Sequence, residues 1–132
     1  MEIIKQTYQI KAPLKEVWRA FTDVEIIKEW GAGPAIMDEK VGTEFKLWDG
    51  DIWGTNIEVE QGRKLVQEWY GGNCDKTSVV TFIFSTKLDT TIIELTHTGV
   101  PSNEVKSFEE GWEDHYIGPM KDFLEDEYGD VD

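Results

Sequence analysis

The segment FEEGWEDHYIGPMKDFLEDEYGDVD, residues 108–132, decides how the rest of the chain folds. Phe108, Trp112, His115/Tyr116, Pro119/Met120 and Phe123 recur at three- and four-residue intervals, which line one face of a helix. Glu109, Glu110, Glu113, Asp114, Lys121, Asp122 and Glu125 fall mostly off that stripe. The spacing predicts a helix over about residues 103–127, with interruptions at Gly111 and Gly118-Pro119. Gly111 would permit close approach to a neighbouring strand or aromatic ring. Pro119 removes the N–H that would bond to the carbonyl of His115, so a bend near Ile117–Pro119 is expected.

Upstream of this helix the sequence supplies a sheet for it to cover. EIIKQTYQI, residues 2–10, reads as a first strand. Pro13 suits the first turn of a helix carrying Leu14, Val17, Trp18 and Phe21 at helical spacing. Thr22 and Glu25 form a capping-box pattern that opens a second short helix, stopped by Gly31. After Pro34 the period changes to two, with strands expected at about 35–38, 43–49, 52–60, 64–71, 77–87 and 90–98. Short turn-rich connections make these an antiparallel meander. The expected architecture is α+β: a curved seven-stranded antiparallel sheet around a long C-terminal helix, with two short helices after the first strand. A sheet curled around a straight helix leaves a natural cavity between them.

Alternation assigns faces to the strands. Phe45 and Leu47 point to the helix. Placing Trp53, Thr55, Ile57 and Val59 on the same side requires an odd-length loop, so Asp49-Gly50-Asp51 is expected as a three-residue turn. Leu65, Gln67 and Trp69 face inward, as do Ser78, Val80, Phe82 and Phe84, and then Thr91, Ile93, Leu95 and His97. Trp18 and Trp30 fix the short helices, Trp53, Trp69 and Trp112 lie nearest the cavity, and Trp48 falls on the opposite face. Large aromatics in that position either fill a core or offer a stacking surface.

Composition narrows the function classes. The 132 residues carry 39% hydrophobic residues and a net charge of −14, fitting one globular domain over 1–132 with a frayed acidic tail at about 126–132. From Glu104 onward there are eleven acidic residues against Lys106 and Lys121. Such charge repels nucleic acid and anionic membranes, and neither is expected as a partner. The N-terminus lacks the apolar core of a signal peptide, no run is long enough to cross a bilayer, and Cys74 has no disulfide partner, which together predict a cytoplasmic protein. Cys74 reads as an incidental surface thiol. His97 and His115 lack a paired ligand motif, so no metal and no cofactor are expected. No nucleophile–base–orienter set is present, which argues against an enzyme.

PLKEVWRAFTDVEIIKEW, GTEFKLWDGDIWGTNIEVEQGRKLVQEW, TTIIELTHTGVP and GWEDHYIGPMKDFL, taken in this order, resemble the family named for the activator of the ninety-kilodalton heat-shock protein's ATPase. That family belongs to the START-like, helix-grip (Bet v-like) superfamily. The resemblance runs from about Ile3 to Leu124 and departs at Gly118-Pro119, where ordinary helix formers are expected. It implies a helix-grip fold whose tunnel holds hydrophobic or aromatic ligands. The eukaryotic co-chaperone carries this domain after a separate N-terminal one that supplies most of the chaperone contact, so full co-chaperone activity is not expected of this sequence. The first expectation is a small apolar or aromatic ligand walled by Phe45, Trp53, Ile57, Trp69, Phe82, Ile93, Trp112, Tyr116 and Met120, with Gln67, His97 and His115 as orienting polar groups. The alternatives are an acidic interaction module for a chaperone or other basic protein partner, and a small-molecule cyclase or hydrolase using His97 or His115.

Overall fold

The computed structural model describes residues 2–70 and 78–129. Strand β1 (Glu2–Ile10) is followed by helices α1 (Leu14–Thr22) and α2 (Val24–Trp30). Then come β2 (Glu44–Leu47), β3 (Ile52–Glu60), β4 (Lys64–Trp69), β5 (Ser78–Lys87) and β6 (Thr90–Val100). All pairings are antiparallel, in the order β1-β6-β5-β4-β3-β2. The C-terminal helix begins as α3 (Val105–Gly111), widens into π turns over Trp112–Ile117, and resumes as α4 (Gly118–Leu124). This is the α+β helix-grip arrangement, with six paired strands in the described residues rather than seven. Residues 35–38 make a single bridge, Ile36 to Lys46. Asp38 ends the pairing because its Oδ1 accepts from the Lys40 N–H at 2.9 Å and the Thr43 hydroxyl at 2.6 Å, turning the chain away.

The short helices follow their sequence signals with one shift. Val17, Trp18 and Phe21 are buried as the helical spacing requires. Helix α2 is capped by Asp23, not Thr22: the Asp23 carboxylate accepts from the Glu25 N–H, while the Thr22 hydroxyl donates to the carbonyl of Trp18. Gly31 ends α2 in the left-handed region, φ 112°.

The β2–β3 hairpin departs most from expectation. Leu47 pairs directly with Ile52, so the loop holds four residues, Trp48–Asp51, with positive φ at Trp48, Asp49 and Gly50. An even loop reverses the face of β3. Gly54 and Asn56 point inward, and Trp53 and Ile57 lie on the outer surface, 44% and 40% exposed. Packing explains the reversal. A Cβ on Gly54 would sit 1.8 Å from the Glu68 carbonyl oxygen and 2.9 Å from the ring of Phe45, so only glycine lets Phe45 close over β3. A bulge between Asn56 and Glu58 then leaves Ile57 unpaired. Trp53 stacks on Tyr70 outside the sheet, with centroids 4.7 Å apart.

The inward faces of β4, β5 and β6 are as alternation assigns them: Leu65, Gln67, Trp69, Ser78, Val80, Phe82, Phe84, Thr91, Ile93, Leu95 and His97 are all buried. Against them the gripped helix lays Trp112, Tyr116, Ile117, Met120 and Leu124. Phe21 bridges the layers, meeting Phe82 at 4.7 Å and Phe84 at 5.1 Å, both edge-on, the arrangement aromatic quadrupoles favour. The far end of the helix is latched to β1. Lys121 donates to the Gln9 carbonyl at 2.8 Å, and Glu125 accepts from the Lys11 N–H at 2.9 Å.

The interrupted helix resolves without a break. The Gly118 N–H reaches back five residues to the Glu113 carbonyl, and that wider turn delivers Pro119 into the first turn of α4, where its missing N–H does no harm. Gly118 is the close-approach position: a Cβ there would lie 2.1 Å from the Glu113 oxygen. Gly111, expected to have that role, faces open space within 4 Å. No helix among the described residues is long and apolar enough to cross a membrane.

Candidate functional site

The π turns rotate the following residues relative to an ordinary helix, and this sets what the interior offers. Trp112 and Tyr116 are buried, whereas His115 is exposed rather than interior. A cleft of about 430 Å³ opens beside them, where the helix leaves the end of the sheet. Its walls are Trp69 of β4, Trp112, His115 and Tyr116 of the π turns, and Glu104, Ser107, Phe108 and Gly111 just before them, with Trp48 and Ile52 of the β2–β3 hairpin opposite. The hairpin is held there by the backbone: the Trp48 N–H donates to Ala32 at 2.8 Å and the Asp49 N–H to Pro34 at 2.9 Å.

Four of the twelve expected wall residues, Trp69, Trp112, His115 and Tyr116, line the cleft. Phe45, Phe82, Ile93 and Met120 have no exposed surface and form solid core instead. Trp53 and Ile57 lie on the other side of the sheet, the consequence of the even hairpin loop and the bulge. Gln67 and His97 are fully buried and act through the tryptophans rather than on the cleft. The aromatic rings fill the tunnel: Trp69 and Trp112 are 4.9 Å apart, and Trp112 and Tyr116 are also 4.9 Å apart. The open space lies at the mouth. Alternation missed Trp48 and Ile52, since positive φ in a loop has no periodic signal and the even loop reverses β3, and no signal marked Glu104 or Ser107. Phe108 was already in the helical stripe.

Both cleft tryptophans have their N–H groups tied down behind them. Trp112 Nε1 donates to His97 Nδ1 at 3.2 Å, and His97 Nε2 lies 2.8 Å from the Ser78 hydroxyl oxygen. An indole N–H can only donate, so Nδ1 is the bare nitrogen and Nε2–H donates to Ser78. Burial pushes the His97 pKa down to about 4, keeping the ring neutral at ordinary pH. Trp69 Nε1 donates to Gln67 Oε1 at 3.0 Å, and Gln67 Nε2 donates to Asn56 Oδ1 at 3.0 Å. Asn56 Nδ2 in turn donates to the Asp38 carbonyl at 3.1 Å. Every member of these relays is satisfied, as buried polar groups require.

Chemically, the arrangement presents ring faces and few donors. The Ser78–His97 pair has the wrong polarity for nucleophile activation, because the histidine donates to the hydroxyl instead of accepting from it. Burial raises the Tyr116 phenol well above its ordinary pKa, and no described residue hydrogen-bonds its hydroxyl. Among the described residues no three His, Cys, Asp or Glu side chains converge on a point. Cys74 lies outside the described residues.

Residues 11–125 match the family model described as activator of Hsp90 ATPase homolog 1-like protein. An activator of 90 kDa heat shock protein ATPase homolog from Dictyostelium discoideum is 28% identical over 89% of this chain and 31% of its own length. The chain spans about a third of the curated relatives it matches. Among solved structures, an HSP90 activator from Plasmodium falciparum superposes with a TM-score of 0.84 at 27% identity, covering 94% of this chain and 96% of that one. CalU16 from Micromonospora echinospora gives 0.77 at 30% identity, over 95% and 76%. The fold, the gripped helix and the match over residues 11–125 thus converge: the chain belongs to the activator of Hsp90 ATPase homolog 1-like family.

Proposed function

We propose that the chain is a cytoplasmic, non-enzymatic domain that binds a small apolar or aromatic molecule in the cleft at the mouth of the grip. The observation that carries this is the orientation of the two cleft tryptophans. With both indole N–H groups bonded to buried acceptors, Trp69 and Trp112 form an apolar floor, and the half-buried Trp48 and Phe108 beside them supply the ring surface suited to stacking. Gly111 supports the same function. It lines the cleft, and a Cβ there would meet no atom within 4 Å, so the space stays open although glycine costs about 1 kcal/mol of helix propensity. Titration with 2-naphthol should quench tryptophan emission saturably. Gly111→Leu should abolish the response while its melting midpoint stays level or rises, because the new side chain fills solvent rather than core. An unsaturable wild-type response, or unchanged binding by Gly111→Leu, would sink the proposal.

A second reading rests on the exposed side of the same helix. Glu109, Glu110, Glu113 and Asp114 are all exposed and adjacent on the helix surface. They suit docking to a basic patch on a chaperone of the kind for which the relatives are named. Binding to the host's ninety-kilodalton heat-shock protein that is indifferent to salt would remove this reading.

A further inference from the structure

We infer that the ligand of this cleft carries an alkylated ammonium group, held by cation–π contact with the aromatic wall and by the carboxylate of Glu104. The inference rests on the cleft being the binding site and adds the chemical class of its occupant.

Five aromatic rings line this wall: Trp48 and Phe108 are half-buried and supply its accessible ring surface, while Trp69, Trp112 and Tyr116, at most 4% exposed, form the floor behind them. Trp48 meets Tyr116 nearly edge-on, at 5.9 Å and 74°, while Trp69 lies closer to parallel with Tyr116 at 6.3 Å and 28°. The wall is therefore a corner made from ring systems in different orientations. Indole faces are the strongest cation–π acceptors among side chains. Because the Trp69 and Trp112 N–H groups are satisfied in the core, their positive edges are turned inward. An anionic head group would lack these donors, and a neutral hydrocarbon would leave the field of the rings unused.

Charge around the cleft has the same sign preference. Glu104 lines it, and no described lysine or arginine lies within ion-pair distance of that carboxylate. No lysine or arginine lines the cleft among the described residues, whose remaining polar groups are Ser107, His115, the Trp48 indole N–H and the Tyr116 hydroxyl. The chain's charge of −14 adds a long-range field that attracts cations. A quaternary ammonium suits this better than a primary one, because it sheds water cheaply and needs no hydrogen-bond acceptor at the rings.

Choline and its neutral carbon isostere, 3,3-dimethyl-1-butanol, isolate the charge at constant shape. Binding is followed through the tryptophan indole N–H resonances of the labelled protein. Choline should bind about tenfold more tightly than the alcohol. Glu104→Gln should weaken choline severalfold and leave the alcohol unchanged, and Gly111→Leu should exclude both. Equal affinity for the two probes, or indifference of choline to Glu104→Gln, overturns the ammonium assignment while leaving the cleft intact. If neither probe nor naphthol perturbs the indoles, or Gly111→Leu changes nothing, the cleft itself is not the site.

Discussion

His97 joins sheet to helix through one imidazole: it accepts from Trp112 on the gripped helix and donates to Ser78 on β5. The bond from Trp112 requires the neutral ring, because protonation would put a second N–H against the indole donor, while the Nε2–H to Ser78 would persist. The folded pKa of about 4 lies below the ordinary value of 6.5, so between these the unfolded chain takes up a proton that the folded chain refuses. His97 therefore contributes its full stability above about pH 6.5, loses it progressively as the pH falls, and has lost it below about pH 4. The shift corresponds to about 3 kcal/mol. Urea unfolding of the wild type across this window should show that decline. His97→Gln can make both hydrogen bonds without titrating, and its pH dependence should be flatter by a comparable amount. Parallel profiles for the two proteins would show that other groups dominate the acid response.

At the scale of elements, the C-terminal helix separates two glycines that look alike in sequence. Gly111→Ala adds a methyl group to open space on a helix and should stabilise by about 0.5–1 kcal/mol. Gly118→Ala drives its Cβ into the Glu113 carbonyl and should destabilise by roughly 1–3 kcal/mol, measured by the same urea titration. Should both substitutions stabilise, the π turns would not be the resting geometry of the helix. Trp112, Tyr116 and Met120 of the helical stripe were legible because burial enforces the period. The π turns, however, expose His115 and bring Ile117 and Leu124 into the core, while Phe108 and Phe123 are only partly buried. Which glycine was essential was not legible, because a carbonyl's position depends on the turn width that the proline imposes nearby. The β2–β3 hairpin shows the same limit. In WGTNI the large apolar residues are the ones left outside, since the inward positions hold a glycine under Phe45 and an asparagine serving a buried relay. A pattern of hydrophobicity alone reads that strand backwards, and with it the placement of Trp53 and Ile57. Faces on β4 and β6 were legible from alternation, whereas β5 carries apolar residues on both sides, Val79 and Ile83 as well as Val80, Phe82 and Phe84, so alternation marked its inward face less sharply.

At the scale of the molecule, a net charge of −14 is concentrated toward one end of the chain, on the helix that also borders the cleft. Its field reaches the neighbouring strand. The Tyr8 phenol on β1 is pushed up to about 12, first by burial and then by Glu113 and Asp114. Two consequences separate the fold from the docking proposal. Crowded exposed carboxylates repel one another, so combined Glu109→Gln, Glu110→Gln, Glu113→Gln and Asp114→Asn should leave the fold intact and raise its melting midpoint modestly at low salt, with the gain fading as salt is added. If those carboxylates also meet a basic chaperone surface, the same variant should bind the host's ninety-kilodalton heat-shock protein more weakly at low salt, chiefly through slower association. The wild type should converge on the variant as ionic strength rises, because screening removes the field that neutralisation removes chemically. Choline affinity gives the internal control: Glu104 is untouched in this variant, so the short-range contact in the cleft should persist while long-range steering is lost. A variant that associates with the chaperone as fast as the wild type at low salt would show that the acidic ridge serves solubility and has no docking role.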